Sequence, residues 1–209
     1  MNLVPSALPV CWKRHVALVA LVVGAGLACA AGSVLAGSPA RSETGAAAER
    51  VPWLTDVAWP EVLRRAADRG APILIDFTAT WCAPCKLLDA MVFNEGDVIA
   101  ALEDVVTLQI DVDAPGTRDL KAAFNVQRVP TLVLCDARGR EIDRFTGYRS
   151  ATDFLALLER WRAGEGTFLA AQTRAVEHPE DPEALLDLAD RFRVRFDDAR
   201  AEVLYRRLL

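Results

Sequence analysis

Two hydrophobic periods alternate along residues 53–162 and predict alternating helices and strands. Apolar residues within 53–70 recur at helical spacing, and Gly70 with Pro72 ends that helix. The same spacing predicts further helices around 86–91, 97–102, 116–124 and 150–162. Apolar, β-branched runs predict strands in APILIDFTA, VVTLQIDVD, PTLVLCD and REIDRFTG, with a turn through Gly139 between the last two. This order predicts an α/β fold, a central mixed sheet flanked by helices, over residues 51–163.

The pattern changes after residue 163 to an α-helical tail, 164–209. Three helices are predicted there, over 167–177, from Asp181-Pro182, and from Asp197 or Asp198, with aspartates as caps. The last two have the apolar spacing of one tetratricopeptide-like unit, or of a plain amphipathic hairpin packed on the preceding domain. No capping signal follows Leu208, so we expect the last helix to be incomplete. If further repeats follow, the tail would bind a protein partner.

The N-terminal residues have the features of an export segment. Basic residues precede an uncharged run from Val16 to Ala40, and such residues stay on the cytoplasmic side of a membrane. We interpret residues 1–36 as a signal peptide or membrane anchor and 37–50 as a linker. A cleaved signal, a retained anchor and a lipoprotein lipidated at Cys29 stay open. Each places the domain outside the cytoplasm, in the periplasm or anchored in the inner membrane and facing it.

The net charge and the number of cysteines reduce the number of possible function classes. The net charge is −5 and no long basic run occurs, which argues against a nucleic-acid partner. Five cysteines are present, two of them in the export segment. The other three, Cys82, Cys85 and Cys135, are the wrong number for a paired structural framework in an exported protein. A close pair with one further cysteine fits a redox-active dithiol and a cysteine that takes no part in its chemistry.

The Cys82-Ala83-Pro84-Cys85 segment lies where a predicted strand runs into a helix. Free N–H groups and the helix dipole at that position favour a thiolate, so Cys82 is the expected exposed nucleophile. Cys85, one turn later and more buried, would attack the mixed disulfide that Cys82 forms with a client. Pro84 stiffens the first turn, where its missing N–H costs nothing.

Asp76 interrupts an apolar strand in ILIDF. If buried, its pKa is raised, and it could take the proton from Cys85. The alternative is an aspartate turned to solvent at the strand end.

Other uses of the cysteines fit less well. A zinc site needs two more ligands, and the two histidines lie in the export segment and the tail. A structural disulfide closing so short a loop would stabilise little. Cys135, in the middle of a strand, is predicted to be a small buried apolar residue.

The segment ILIDFTATWCAPCK resembles the thioredoxin active site, and VQRVPTLVLCDARGREIDRFTGYRS resembles the second half of that fold. The resemblance runs from about Trp53 to Trp161. It implies that Val129-Pro130 is the family's cis-proline segment facing the dithiol, with Val129 offering its backbone to an extended client. Trp81 and Pro84 would belong to the same client surface.

Three departures from common thioredoxins stand out. Ala83 replaces a glycine between the cysteines, Ala90 replaces the proline that kinks the active-site helix, and Thr107 stands where a lysine faces the aspartate. The segment CKLLDAMVFNEGDVIAAL instead resembles the exported thioredoxin-like domains at the C-terminus of transmembrane disulfide reductases, the DsbD type.

This resemblance implies an exported thiol:disulfide oxidoreductase, most simply a reductase of disulfide-containing client proteins. Cys82, Cys85 and Asp76 would be its catalytic residues. The dithiol is itself the redox centre, so no cofactor or metal is expected. A reductase in an oxidising compartment must be recharged, which predicts a membrane-embedded electron donor. The alternatives are a disulfide oxidase or isomerase, and a partner-binding module that uses the thioredoxin-like domain as a scaffold.

Overall fold

A computed structural model describes residues 50–209 of the chain. Its elements in chain order are α1 Trp59–Arg69, β1 Ile73–Thr78, α2 Ala83–Met91, α3 Gly96–Ala101, β2 Val106–Asp111, α4 Arg118–Ala123, β3 Thr131–Cys135, β4 Glu141–Thr146, α5 Ala151–Ala163, α6 Phe168–Glu177, α7 Pro182–Val194 and α8 Asp198–Arg207. The four strands form one sheet in the order β2-β1-β3-β4. β1 and β2 are parallel, whereas β3 is antiparallel to both β1 and β4. The predicted mixed sheet is confirmed.

Strand β1 lies inside the sheet, and its alternating side chains serve two separate cores. Ile73, Ile75 and Phe77 pack with residues of α1 and α4 on one face. Leu74 packs on the other face with Leu88 of α2 and with residues of α3 and α5. Period two therefore places the side chain of Asp76 on the same face as Leu74, toward the active-site helix.

Helix α1 begins later than the apolar pattern that predicted it. Pro60 occupies its first turn, and Gly70, in the left-handed conformation at φ 59°, caps its C-terminus. Leu54, before the helix, forms a parallel bridge to Leu108 at the free edge of β2. The segment ahead of α1 thus covers part of a sheet edge.

Gly139 makes the predicted turn between β3 and β4. Its φ of 78° suits glycine, and a Cβ there would lie 2.8 Å from Leu63 Cδ2 and 2.9 Å from Trp59 Cζ2. Asp136 accepts hydrogen bonds from the backbone N–H groups of Arg138 and Arg140. The turn is closed by local bonds and packed beneath α1.

The tail forms three helices, as predicted, and it packs on the sheet. An apolar cluster joins α6, α7 and α8 through residues such as Phe168, Leu185 and Phe192. Arg195, at the end of α7, is buried and pairs with Glu141 and Asp143 of edge strand β4. Its guanidinium also lies 4.0 Å from the centre of the Phe168 ring. The tail therefore contacts β4, while its tetratricopeptide-like character stays a prediction.

The predicted export segment, 1–36, and most of the linker, 37–50, lie outside the described residues. Within residues 50–209, none of the helices has the length and apolarity needed to cross a membrane.

Candidate active site

Cys82 and Cys85 form a disulfide at the N-terminus of α2, with their Cα atoms 5.3 Å apart. Cys82 is the N-cap of the helix, and its Sγ accepts a hydrogen bond of 3.2 Å from the backbone N–H of Cys85. Pro84 lies in the first helical turn. The N–H group and the helix dipole favour negative charge on Cys82 once the disulfide is reduced.

Both cysteines are buried in this disulfide form, each 2% exposed. The expectation that Cys82 is exposed is therefore wrong for this state. Ala79 forms a buried cluster with the two cysteines, and Val112 and Val129 pack against this cluster. Trp81, next in the chain to Cys82, is 68% exposed instead, and its indole N–H donates to Asp113 Oδ2 at 2.6 Å. Trp81 and the exposed Pro84 thus form the solvent-facing rim of the site.

Val129 and Pro130 lie where the resemblance places them. The Val129–Pro130 peptide bond is cis, and the half-buried Val129 touches the dithiol cluster. In the described part of the chain, neither backbone group of Val129 has a hydrogen-bond partner, whereas Pro130 O accepts from Gly147 N at 2.9 Å. A free N–H and C=O beside the disulfide can pair with an extended peptide.

Asp76 is buried, 2% exposed, so the reading of a solvent-facing aspartate is wrong. Its Oδ2 accepts a hydrogen bond of 3.0 Å from Gln109 Nε2, and its Oδ1 has no hydrogen-bond partner among the described residues. Burial raises the pKa of Asp76 to about 7, the negative charge of Asp89 acts in the same direction, and the Gln109 bond opposes both. A carboxyl group with this pKa exchanges its proton near neutral pH.

Gln109 is the residue that sequence reasoning missed. It pairs in register with Asp76, whereas Thr107 pairs with Leu74 and donates its hydroxyl to Pro52 O at 2.9 Å. Thr107 thus makes no hydrogen bond to Asp76, and within residues 50–209 Gln109 is the β2 residue that bonds that carboxyl. The register of the two parallel strands sets which β2 residue lies beside Asp76. This register cannot be read from the sequence of either strand alone.

A cavity of about 370 Å³ opens beside Gln109. Lys86, Asp89, Arg50 and Trp53 are among its lining residues. Asp89 Oδ1 lies 3.4 Å from the same Gln109 nitrogen that bonds Asp76. Burial also raises the pKa of Asp89. Gln109 therefore bonds the buried Asp76 carboxyl and also lines a cavity that has charged side chains in its wall.

Cys135 is a free, fully buried thiol in β3, as predicted. Burial, reinforced by Glu141 and Asp136, raises its pKa well above the ordinary value, so it stays an unreactive thiol. Among residues 50–209, no group of three or more cysteine, histidine or acidic side chains is arranged to hold a metal ion.

Comparison with known proteins found similar sequences and structures. The thioredoxin-like domain family matches residues 59–162. The thiol:disulfide interchange protein DsbD of Ralstonia nicotianae is 38% identical over 119 residues, which is 56% of this chain and 19% of that protein. DsbD of Cronobacter sakazakii is 35% identical over 150 residues, 68% of this chain and 25% of that protein. A solved DsbH oxidoreductase is 18% identical with a TM-score of 0.49, covering 60% of this chain and 94% of the other.

Residues 59–162 therefore belong to the thioredoxin-like family, and the sequence relatives are of the DsbD type. The chain spans a quarter or less of the length of these two curated relatives.

Proposed function

We propose that this protein is an exported thiol:disulfide oxidoreductase that reduces disulfides in client proteins. The observation that carries the proposal is the Cys82–Cys85 disulfide at the N-terminus of α2, with Val129 packed against it. Within the described residues, the backbone N–H and C=O of Val129 have no hydrogen-bond partner. Similarity to proteins named thiol:disulfide interchange protein supports it.

The first step is attack by the reduced form. The Cys82 thiolate attacks one sulfur of the client disulfide, the client S–S bond breaks, and a Cys82–client disulfide forms. The released client sulfur takes up one proton. The backbone N–H of Cys85 and the start of α2 favour the attacking thiolate. Val129 would pair with the client backbone and hold its sulfur in line, while Trp81 and Pro84 border the same surface.

The second step releases the client. Cys85 loses its proton to Asp76, attacks Cys82 Sγ and closes the Cys82–Cys85 disulfide, and the second client sulfur leaves and is protonated. Two electrons and two protons have then passed to the client. A pKa of about 7 lets Asp76 accept this proton at neutral pH and return it to solvent afterwards.

A reductase outside the cytoplasm ends each cycle oxidised and needs a source of two electrons. We therefore propose a membrane-embedded dithiol donor as partner and a periplasmic location, free or anchored through residues 1–36. The basic residues ahead of the uncharged run support export. The chemistry itself is reversible, so the same site would work as an oxidase if its reduction potential were high.

Two serine variants test the proposal. The reduced wild-type chain should reduce the interchain disulfides of insulin, and Cys82→Ser should abolish this because no nucleophile remains. Cys85→Ser should accumulate a covalent Cys82–client species, visible by non-reducing electrophoresis and lost on adding dithiothreitol. Cys135→Ser is the matched control and should retain wild-type turnover, since that thiol is buried. Turnover by Cys82→Ser would contradict the mechanism.

A further inference from the structure

The turn between α7 and α8 links the tail to the segment that precedes Pro130. Arg195, the C-cap of α7, is fixed to edge strand β4 through Glu141 and Asp143. Arg144 also pairs with Glu141. Because this network is largely buried, the position of the turn relative to the sheet is well defined.

Asn125 joins this turn to the thioredoxin-like domain. Its side-chain amide donates to the backbone carbonyls of Arg195 at 2.9 Å and Phe196 at 3.0 Å. Its amide oxygen accepts from Gln127 Nε2 at 2.7 Å. The Asn125 side chain thus bonds the tail through its NH2 group and Gln127 through its oxygen. Gln127 lies two positions before Val129.

Phe196 adds a side-chain contact at the same place. Its φ is 58°, a left-handed conformation that is unfavourable for a residue with a Cβ. Phe196 is 45% exposed, so burial in the apolar core does not explain why an aromatic residue occupies this position. The ring stacks under the guanidinium of Arg128, with 5.2 Å between the Arg128 Cζ and the ring centre.

Arg128 is an exposed cation directly before Val129. Within residues 50–209 it has no carboxylate partner, and the Phe196 ring is its only side-chain contact of the ionic, hydrogen-bonding or ring type. The backbone carbonyl of Arg128 accepts a hydrogen bond of 2.8 Å from Thr131 Oγ1, which holds the Arg128 backbone to the first residue of β3. A client chain that pairs with the backbone of Val129 runs alongside the adjacent residue, Arg128. A carboxylate on the client would find there a cation already oriented by the ring.

We propose that Arg128 and Phe196 extend the client site and select polypeptides that carry a carboxylate beside the reactive disulfide. The tail then acts as a specificity element of the oxidoreductase, and the inference rests on the function proposed above. Arg128 makes the contact with the client, whereas Phe196 and Asn125 position it.

Matched peptides test this proposal. Two synthetic peptides, each closed by a single disulfide, carry either glutamate or glutamine on both sides of the cysteines. The reduced full chain is mixed with each, and the second-order rate constant is measured by acid quench and mass spectrometry. The wild type should prefer the glutamate peptide about two- to fivefold at low salt, the range for one exposed ion pair. The preference should decline at 1 M salt because the charges are screened.

Three variants separate the roles. Arg128→Met should remove the preference for glutamate. Phe196→Gly should weaken it, and glycine suits the backbone conformation there, so folding is preserved. Leu186→Ala is the matched control, a tail side chain of similar exposure, 47%, and should retain the wild-type preference.

The outcomes are distinguishable. Equal rates for both peptides in the wild type, or an unchanged preference in Arg128→Met, would overturn the selectivity. An unchanged preference in Phe196→Gly would overturn the role of the tail. Hydroxyethyl disulfide, which lacks any peptide, reports on exchange itself. If it and both peptides fail to react with the reduced wild type, the proposed function fails, and this inference fails with it.

Discussion

Gln109 donates a hydrogen bond of 3.0 Å to Asp76, and this is the one hydrogen bond that the buried carboxyl receives within the described chain. The bond stabilises the carboxylate form, whereas burial stabilises the protonated form. Because burial is the larger effect, the pKa settles at about 7 and the proton is exchangeable under physiological conditions.

Asp76→Asn should change the pH dependence of stability. The raised pKa means that the native state holds the proton more tightly than the unfolded state does. The resulting stabilisation is complete below pH ~4 and is lost as the pH rises through about 7. Between pH 5 and pH 8 the free energy of unfolding of the wild type should therefore fall by about 2–3 kcal/mol relative to the variant. Urea titrations of the oxidised proteins measure this difference, and a difference that is constant with pH would contradict the assignment.

Gln109→Ala should raise the pKa of Asp76, because the bond that stabilises the carboxylate is lost. We expect an upward shift of about one unit, the equivalent of one hydrogen bond to a charged group. The measurement is the pH profile of client release from the Cys82 mixed disulfide, the step that uses Asp76. Thr107→Val is the control on the same strand, since its hydroxyl bonds Pro52 instead. Equal shifts in both variants would assign the effect to the strand rather than to the bond.

Arg195→Met should destabilise the folded protein strongly. Removing the guanidinium leaves Glu141 and Asp143 buried with fewer partners, and breaking a buried pair costs about 3 kcal/mol or more. Arg206→Met is the contrasting control, because that arginine forms an exposed pair with Glu202 worth about 0.5 kcal/mol or less. Urea unfolding of both variants gives the comparison. Similar small losses would show that the tail does not depend on this network.

The fold was predictable from the sequence because its elements are marked locally. Apolar runs gave the four strands, and Gly70 and Gly139 marked a helix end and a turn that the structure contains. The apolar neighbours of Asp76 left two alternatives, a buried and a solvent-facing side chain, and the structure shows the buried one. The position of the cysteines at the start of a helix followed from the apolar strand pattern before them and the helical pattern after them.

The contacts between distant segments were not predictable in the same way. Gln109 meets Asp76 through the register of two parallel strands, which no local pattern fixes. Arg195 belongs to a run rich in charged residues that has the appearance of a solvated surface, yet tertiary packing buries it against β4. The contacts of Asn125 with the tail join residues 70 and 71 positions apart. Such pairings depend on the assembled fold.

The most direct test of the account is the reduction potential of the Cys82–Cys85 pair, measured by equilibrating the full chain with defined ratios of reduced to oxidised glutathione. The account predicts a value near that of thioredoxin, about −270 mV, at which the reduced dithiol donates electrons to client disulfides. A value near that of the strong periplasmic oxidant, about −120 mV, would contradict it, because the disulfide would then be the reactive form and the protein would introduce disulfides instead.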